Sequence, residues 1–79
     1  MEWKKVTVPT GCKLFKSHTF TYLHKGTTYR LEIDEFSDGT YTGHGEHSTD
    51  KSSVIESVSA GTVEQTIQLL ISKIEQRHR

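Results

Sequence analysis

Hydrophobic and polar residues alternate most cleanly between Thr28 and Phe36. Tyr29, Leu31 and Ile33 fall on one side of an extended chain, with Arg30, Glu32 and Asp34 on the other. This period-two pattern marks a strand with one buried and one wet face. Ser37-Asp38-Gly39 follows as a turn signal, and Thr40 to Glu46 resumes an extended run, so the two segments predict a hairpin. Upstream, Phe20 to His24 reads as another strand, with Phe20 and Tyr22 on one face and Thr21 and Leu23 on the other. Lys25-Gly26 is the turn that joins it to the Thr28 run, with Gly26 free to take positive φ. Val6 and Val8 alternate with Lys5 and Thr7, which predicts a first strand over Trp3 to Val8, closed by Pro9-Thr10-Gly11. Cys12 to Ser17 fits either a short strand or a bulged approach to the next one. His47 to Ser53 reads as a polar loop, and Val54 to Ser59 as a fifth short strand.

From Val63 the period changes. Val63, Ile67, Leu70, Ile71 and Ile74 recur at helical spacing and form one stripe running towards the end of the chain. Thr62-Val63-Glu64-Gln65 matches a capping box, in which the threonine hydroxyl accepts the Gln65 backbone N–H and the glutamine reaches back. The predicted fold is therefore α+β: an antiparallel meander of four to five strands with one C-terminal helix packed on its apolar face, a two-layer arrangement. Residues 1–79 read as a single domain. The expected core is Val6, Leu31, Ile33, Val63, Ile67, Leu70 and Ile74. Gly43 and Gly45 lie on the Tyr41 face with almost no side-chain surface, which predicts close packing of another element there.

Composition narrows the function classes. Ten Lys and Arg balance ten Asp and Glu, for a formal net charge of +0. A polyanion binder needs a net excess of cations to neutralise phosphates, so nucleic acid is not the expected partner. Zero net charge also leaves little repulsion against self-association. The single cysteine, Cys12, excludes an intramolecular disulfide, and a small domain without disulfides fits the cytoplasm better than an oxidising compartment. No apolar run approaches the length of a membrane span, and MEWKKVTVPT lacks the apolar core of a signal peptide.

His44-Gly45-Glu46-His47 gathers the most versatile side chains. Imidazole and carboxylate suit zinc, so His44, Glu46 and His47 are the candidate metal ligands. The helical His-Glu-x-x-His spacing and the Pro-Cys-x-x-Cys of zinc deaminases are both missing, so these residues read first as an exposed strand end with no bound metal or other cofactor. Cys12 has no histidine placed beside it by the pattern, and no catalytic set emerges. Gly39, Gly43 and Gly45 do not precede a helix as a phosphate-binding loop would. Two apolar residues fall off the expected core. Phe36 lies on the Arg30/Glu32/Asp34 face, and Leu69 points roughly 140° from the helical stripe at 100° per residue. Both are candidate interaction residues.

Ile33-Asp34-Glu35, Asp38-Gly39-Thr40-Tyr41 and Gly61-Thr62-Val63-Glu64-Gln65 follow one another in an order that resembles the N-terminal module of HicB-type antitoxins. The resemblance runs from Tyr29 to Arg77. His44-Gly45-Glu46-His47 replaces the proline-containing middle strand of that family. The resemblance implies an accessory role in a toxin–antitoxin or nucleic-acid-binding system. The β-β-β-α tail is also similar to the double-stranded-RNA-binding topology, but no Lys-Lys pair opens the helix, and RNA binding is not implied. The residues themselves point to a non-enzymatic domain acting by protein–protein contact or weak self-association, with Leu69 on the favoured surface. A small ligand- or metal-binding protein is the third class.

Overall fold

A computed structural model describes residues 2–50 and 54–77. Lys51 to Ser53 of the expected polar loop, and His78 and Arg79 beyond the helix, lie outside the described residues. Among the described residues, four strands, β1 (Phe15–His24), β2 (Thr27–Phe36), β3 (Tyr41–His47) and β4 (Val54–Ala60), precede one α-helix, α1 (Val63–Arg77). The strands pair in sequence order, each antiparallel to the next, and α1 packs against one face of the sheet. This is the two-layer α+β meander expected from the alternation.

The turns follow from their residues. Lys25 and Gly26 both have positive φ, 45° and 86°, and they join the facing pair His24 and Thr27. Two such residues make a type I′ turn, whose twist matches that of the flanking strands. The Ser37-Asp38-Gly39 loop is of the three-residue kind. The Gly39 N–H donates to the Phe36 carbonyl at 3.0 Å, and Gly39 then takes φ 94°. The Phe36 N–H closes the loop on the Thr40 carbonyl at 2.9 Å. Asp38 Oδ1 accepts from both the Thr40 N–H (3.0 Å) and its hydroxyl (2.6 Å), which fixes the turn from within.

Tyr29, Leu31 and Ile33 of β2, Ile55 of β4, and Leu70 and Ile74 of α1 form the buried core. Each such side chain contributes about 1.5–3 kcal/mol on leaving water. Val63, Ile67 and Ile71 pack around them but stay partly accessible. The helix comes closest over β3. A Cβ added to Gly43 would lie 2.5 Å from Thr66 Cγ2, 3.0 Å from Ile33 Cδ1 and 3.1 Å from Leu70 Cδ1. At Gly45 the same atom would meet Leu31 Cδ2 at 3.0 Å. Gly43 thus leaves a groove in the sheet that receives α1, while the space over Gly45 is taken by Leu31 and Ile55 of the neighbouring strands. Thr66 is fully buried there, and its hydroxyl is satisfied by donating to the Thr62 carbonyl at 2.7 Å, which leaves its methyl for Gly43. At the helix start, Thr62 Oγ1 accepts the Gln65 N–H at 3.1 Å. Gln65 Oε1 reaches one residue further back than a capping box requires, to the Gly61 N–H at 3.3 Å.

The N-terminal expectation is corrected. Trp3–Lys5 is a single 3-10 turn and no strand forms before Phe15 among the described residues. Val6 is 53% exposed rather than part of the core. Two alternating valines between a lysine pair and Pro9 bury too little to hold a ladder, and Lys4 is drawn instead into an ion pair with Glu35 at 2.7 Å. Of the ambiguous Cys12–Ser17 segment, Phe15 to Ser17 belongs to β1, which makes that strand ten residues long.

The Gly43 groove sets a test. Gly43→Ala should destabilise the fold by about 1–3 kcal/mol through overpacking. Adding Thr66→Ser, which removes the facing methyl but keeps the hydroxyl, should recover a large part of that loss in a urea-denaturation double-mutant cycle. Additive effects of the two substitutions would contradict the close approach.

Candidate functional site

The sheet face away from α1 carries Arg30, Glu32 and Asp34 from β2 beside Thr42, His44 and Glu46 from β3. The register places Glu32 opposite His44 and Arg30 opposite Glu46. Arg30 lies 3.8 Å from Glu32 and 3.6 Å from Glu46, and His44 Nε2 lies 3.6 Å from Glu32. The Ser17 hydroxyl donates to Asp34 Oδ1 at 2.9 Å. Of the three candidate ligands, His44 and Glu46 share this face but His47 does not. Its ring packs edge-on against Tyr29 on the helix side, with centroids 5.5 Å apart. His47 Nδ1 accepts the N–H groups of Thr49 and Asp50 at 3.2 and 3.1 Å, so its role is to cap the turn after β3. The donors that do converge are Glu32, Asp34 and His44, with one atom from each within 4.8 Å of the others. Sequence alternation places Glu32 and Asp34 on that face, but only the register brings them to His44. With Arg30 already among the carboxylates, the arrangement is a mixed-charge cross-strand ladder in contact with water.

Cys12 is exposed and borders a shallow cleft of about 250 Å³ with Lys13, Phe36, Asp38 and Thr42. No histidine lines it, so the described residues do not form a thiol–imidazole pair there. Phe36, on the open face as expected, is half-buried between the Phe15 ring (5.0 Å, tilted) and the Lys13 ammonium (5.7 Å). Leu69 is exposed on the outer side of α1.

A more extensive feature is the free edge of the sheet at β1. The helix lies over β2, β3 and β4 and meets β1 chiefly at its end. There the Tyr22 hydroxyl donates to Glu75 Oε1 at 2.7 Å, and His24 Nδ1 lies 2.8 Å from the same oxygen. The rest of β1 is largely uncovered: Phe15, Phe20 and Leu23 are 45%, 39% and 66% exposed. The backbone orientation can be read from the turns. The type I′ turn bonds the His24 carbonyl towards β2, so even-numbered residues of β1 bond inward. At the other end Phe36 bonds to Thr40 across the β2–β3 turn, so its partner Phe15 bonds outward. Phe15, Ser17, Thr19, Thr21 and Leu23 therefore direct their N–H and C=O groups away from the sheet. The strand contains one lysine, no proline and no register shift. The opposite edge differs. β4 is seven residues long, is crossed by α1, and places both Glu56 and Ser57 opposite His44, a bulge that interrupts its edge.

A second cluster ties the N-terminal segment to the sheet. Glu35, at the end of β2 on the helix-side face, takes Lys4 Nζ at 2.7 Å and His18 Nε2 at 2.9 Å. The Lys4 bond first, then the His18 bond, hold the Glu35 carboxyl well below its usual 4.5, at about 2. Sequence reading missed this hub because Lys4 and Glu35 are far apart in the chain and the first segment read as a strand.

No family model, curated protein or solved structure matches this chain.

A group whose folded pKa is depressed stabilises the fold above its unfolded pKa and loses that contribution as pH falls. The Glu35 contribution should therefore be complete above pH 4.5 and disappear as pH falls towards about 2. Glu35→Gln should lower stability at neutral pH and flatten the acid limb of a thermal-midpoint profile. Superimposable profiles for the two proteins would refute the hub.

Proposed function

We propose that this domain is a non-catalytic association module that works by pairing β1 with a second copy of the chain. The observation that carries this reading is the free β1 edge: a ten-residue strand whose five odd-numbered residues direct their backbone groups outward, with no bulge, and with exposed Phe15, Phe20 and Leu23 along it. Natural sheets usually blunt such an edge with proline, bulges or charge, and strand addition is the common use of one left open. Zero formal net charge removes long-range repulsion between copies and offers no field to attract phosphates. Leu69 and Phe36 are weaker anchors, the first standing alone among the large apolar side chains of the outer helix face and the second already packed on Phe15.

Backbone bonds contribute about 0.5–1.5 kcal/mol each, against an association cost of about 4–15 kcal/mol. The backbone bonds therefore roughly offset that cost, and the surplus that sets a weak, roughly micromolar association comes from burying the exposed apolar side chains of the strand. A specific observation favours one other reading, metal binding: the convergence of Glu32, Asp34 and His44. Stoichiometric zinc in untagged protein, lost in His44→Ala, would support it. Tight, salt-dependent binding of a nucleic-acid duplex would instead favour the antitoxin-like accessory role.

The test is sedimentation velocity over a concentration series with Thr19→Pro as the comparison. Thr19 points its N–H outward, so proline removes an edge donor without breaking a β1–β2 bond. The parent chain should shift from monomer to dimer across the micromolar range, and Thr19→Pro, folded by circular dichroism, should remain monomeric. A parent that stays monomeric at high micromolar concentration would overturn the proposal, as would a Thr19→Pro variant that dimerises equally well.

A further inference from the structure

The shape of the edge also specifies how two copies would meet, an inference that rests on the self-association reading above. An antiparallel β1–β1 pair has a two-fold axis perpendicular to the sheet, so the helix-side face of one copy continues into the helix-side face of the other. Side chains that face each other across the pair must then lie on the same face, which restricts pairing to odd with odd and even with even. The outward bonding groups belong to the odd residues, so the hydrogen-bonded pairs are odd with odd. Few registers satisfy both conditions while engaging most of the strand.

We infer that two copies pair with Thr19 on the two-fold axis, so that Phe15 faces Leu23 of the second copy and Ser17 faces its Thr21. Two features of the chain favour this register over its neighbours, and a third is compatible with it. Phe15 and Leu23 are the two exposed apolar residues of β1 on the open face, and this register alone sets them opposite each other. Trp3, Leu14, Phe15 and Lys16 line an open, mainly apolar shelf at the start of the strand, where Leu23 of the second copy arrives. On the helix side, Lys16 comes to lie opposite Tyr22 of the second copy. The Tyr22 hydroxyl is bonded to Glu75, so an ammonium meets a carboxylate there. Moving the register by two residues, to set Phe20 against Phe20, would bring Lys16 to His24, which shares the same Glu75 oxygen. It would leave Leu23 against Ser17, so the Phe15–Leu23 pairing is what separates the two registers. The inferred pairing makes on the order of ten interchain backbone bonds. It places both helices on one side of a continuous sheet, with the uncovered β1 strands as the floor between them.

Cysteine cross-linking separates the register from the association itself. In a Cys12→Ser background, Thr19→Cys and Phe20→Cys are oxidised separately at a concentration where sedimentation shows dimer. Facing residues of an antiparallel pair lie within disulfide range, and residues two positions off do not. Thr19→Cys should form covalent dimer at least ten times faster than Phe20→Cys. An equimolar mixture of Ser17→Cys and Thr21→Cys should give the mixed dimer in preference to either homodimer, which provides a second pair of variants at exposed positions. Faster linking through Phe20→Cys would overturn the register while leaving association intact. Dimer by sedimentation with no cross-link in any variant would overturn β1 pairing in favour of another interface. Monomer throughout would overturn the self-association reading together with the register.

Discussion

The seating of α1 on Gly43 governs the rest of the molecule. A helix packs against a sheet at a distance set by intervening side chains, and at Gly43 there is none. The Thr66 methyl and Leu70 descend into that gap, and Leu31 and Ile55 close on Gly45 beside it. The approach lets one 15-residue helix cover β2, β3 and β4 and leaves most of β1 open. Thr66 can occupy the tightest point because its hydroxyl bonds back to the Thr62 carbonyl. A residue ranked as polar in the sequence thus becomes one of the most buried in the fold.

The exposed edge follows from that placement. A small chain with one helix has limited apolar surface with which to cover a four-stranded sheet. The coverage goes to β2, β3 and β4, and the helix-side face of β1, which carries Lys16, His18, Phe20, Tyr22 and His24, is anchored by side chains from beyond its own sheet neighbours only near its ends. Glu75 gathers Tyr22 and His24 at one end, and Glu35 gathers Lys4 and His18 towards the other. Both are polar anchors near the sheet margin, and between them Phe20 remains accessible. The edge is therefore a consequence of the packing, and its lack of proline or bulge leaves it available for strand addition.

Much of this architecture was legible in the chain. The period-two runs located β2 and β3 to within a residue, Asp38-Gly39 located their turn, and Thr62 with Gln65 located the helix start. Gly43 and Gly45 announced a close approach, though not that Thr66 would make it. What misled was the N-terminus. Val6 and Val8 have strand periodicity, but periodicity reports a possible face and not whether a partner strand is free to take it. The extension of β1 to Phe15 was hidden for the same reason, since Lys16-Ser17-His18-Thr19 carries little apolar alternation and is held in the sheet by pairing with β2. At the candidate metal ligands, proximity in sequence failed as a guide to proximity in space. His47 turns to the other face, while Glu32 and Asp34 reach His44 through register. The ion pairs at Glu35 and Glu75 join positions far apart in the chain, which no local pattern encodes.

Residue-resolved amide hydrogen exchange across a dilution series tests β1 pairing most directly. The N–H groups of Ser17, Thr19 and Thr21 point away from β2, so in an isolated copy they exchange freely. The pairing described here predicts that these three amides gain protection as concentration rises through the dimer transition, while exposed amides elsewhere in the chain do not. Fast exchange at all three positions in a sample shown to be dimeric would contradict it.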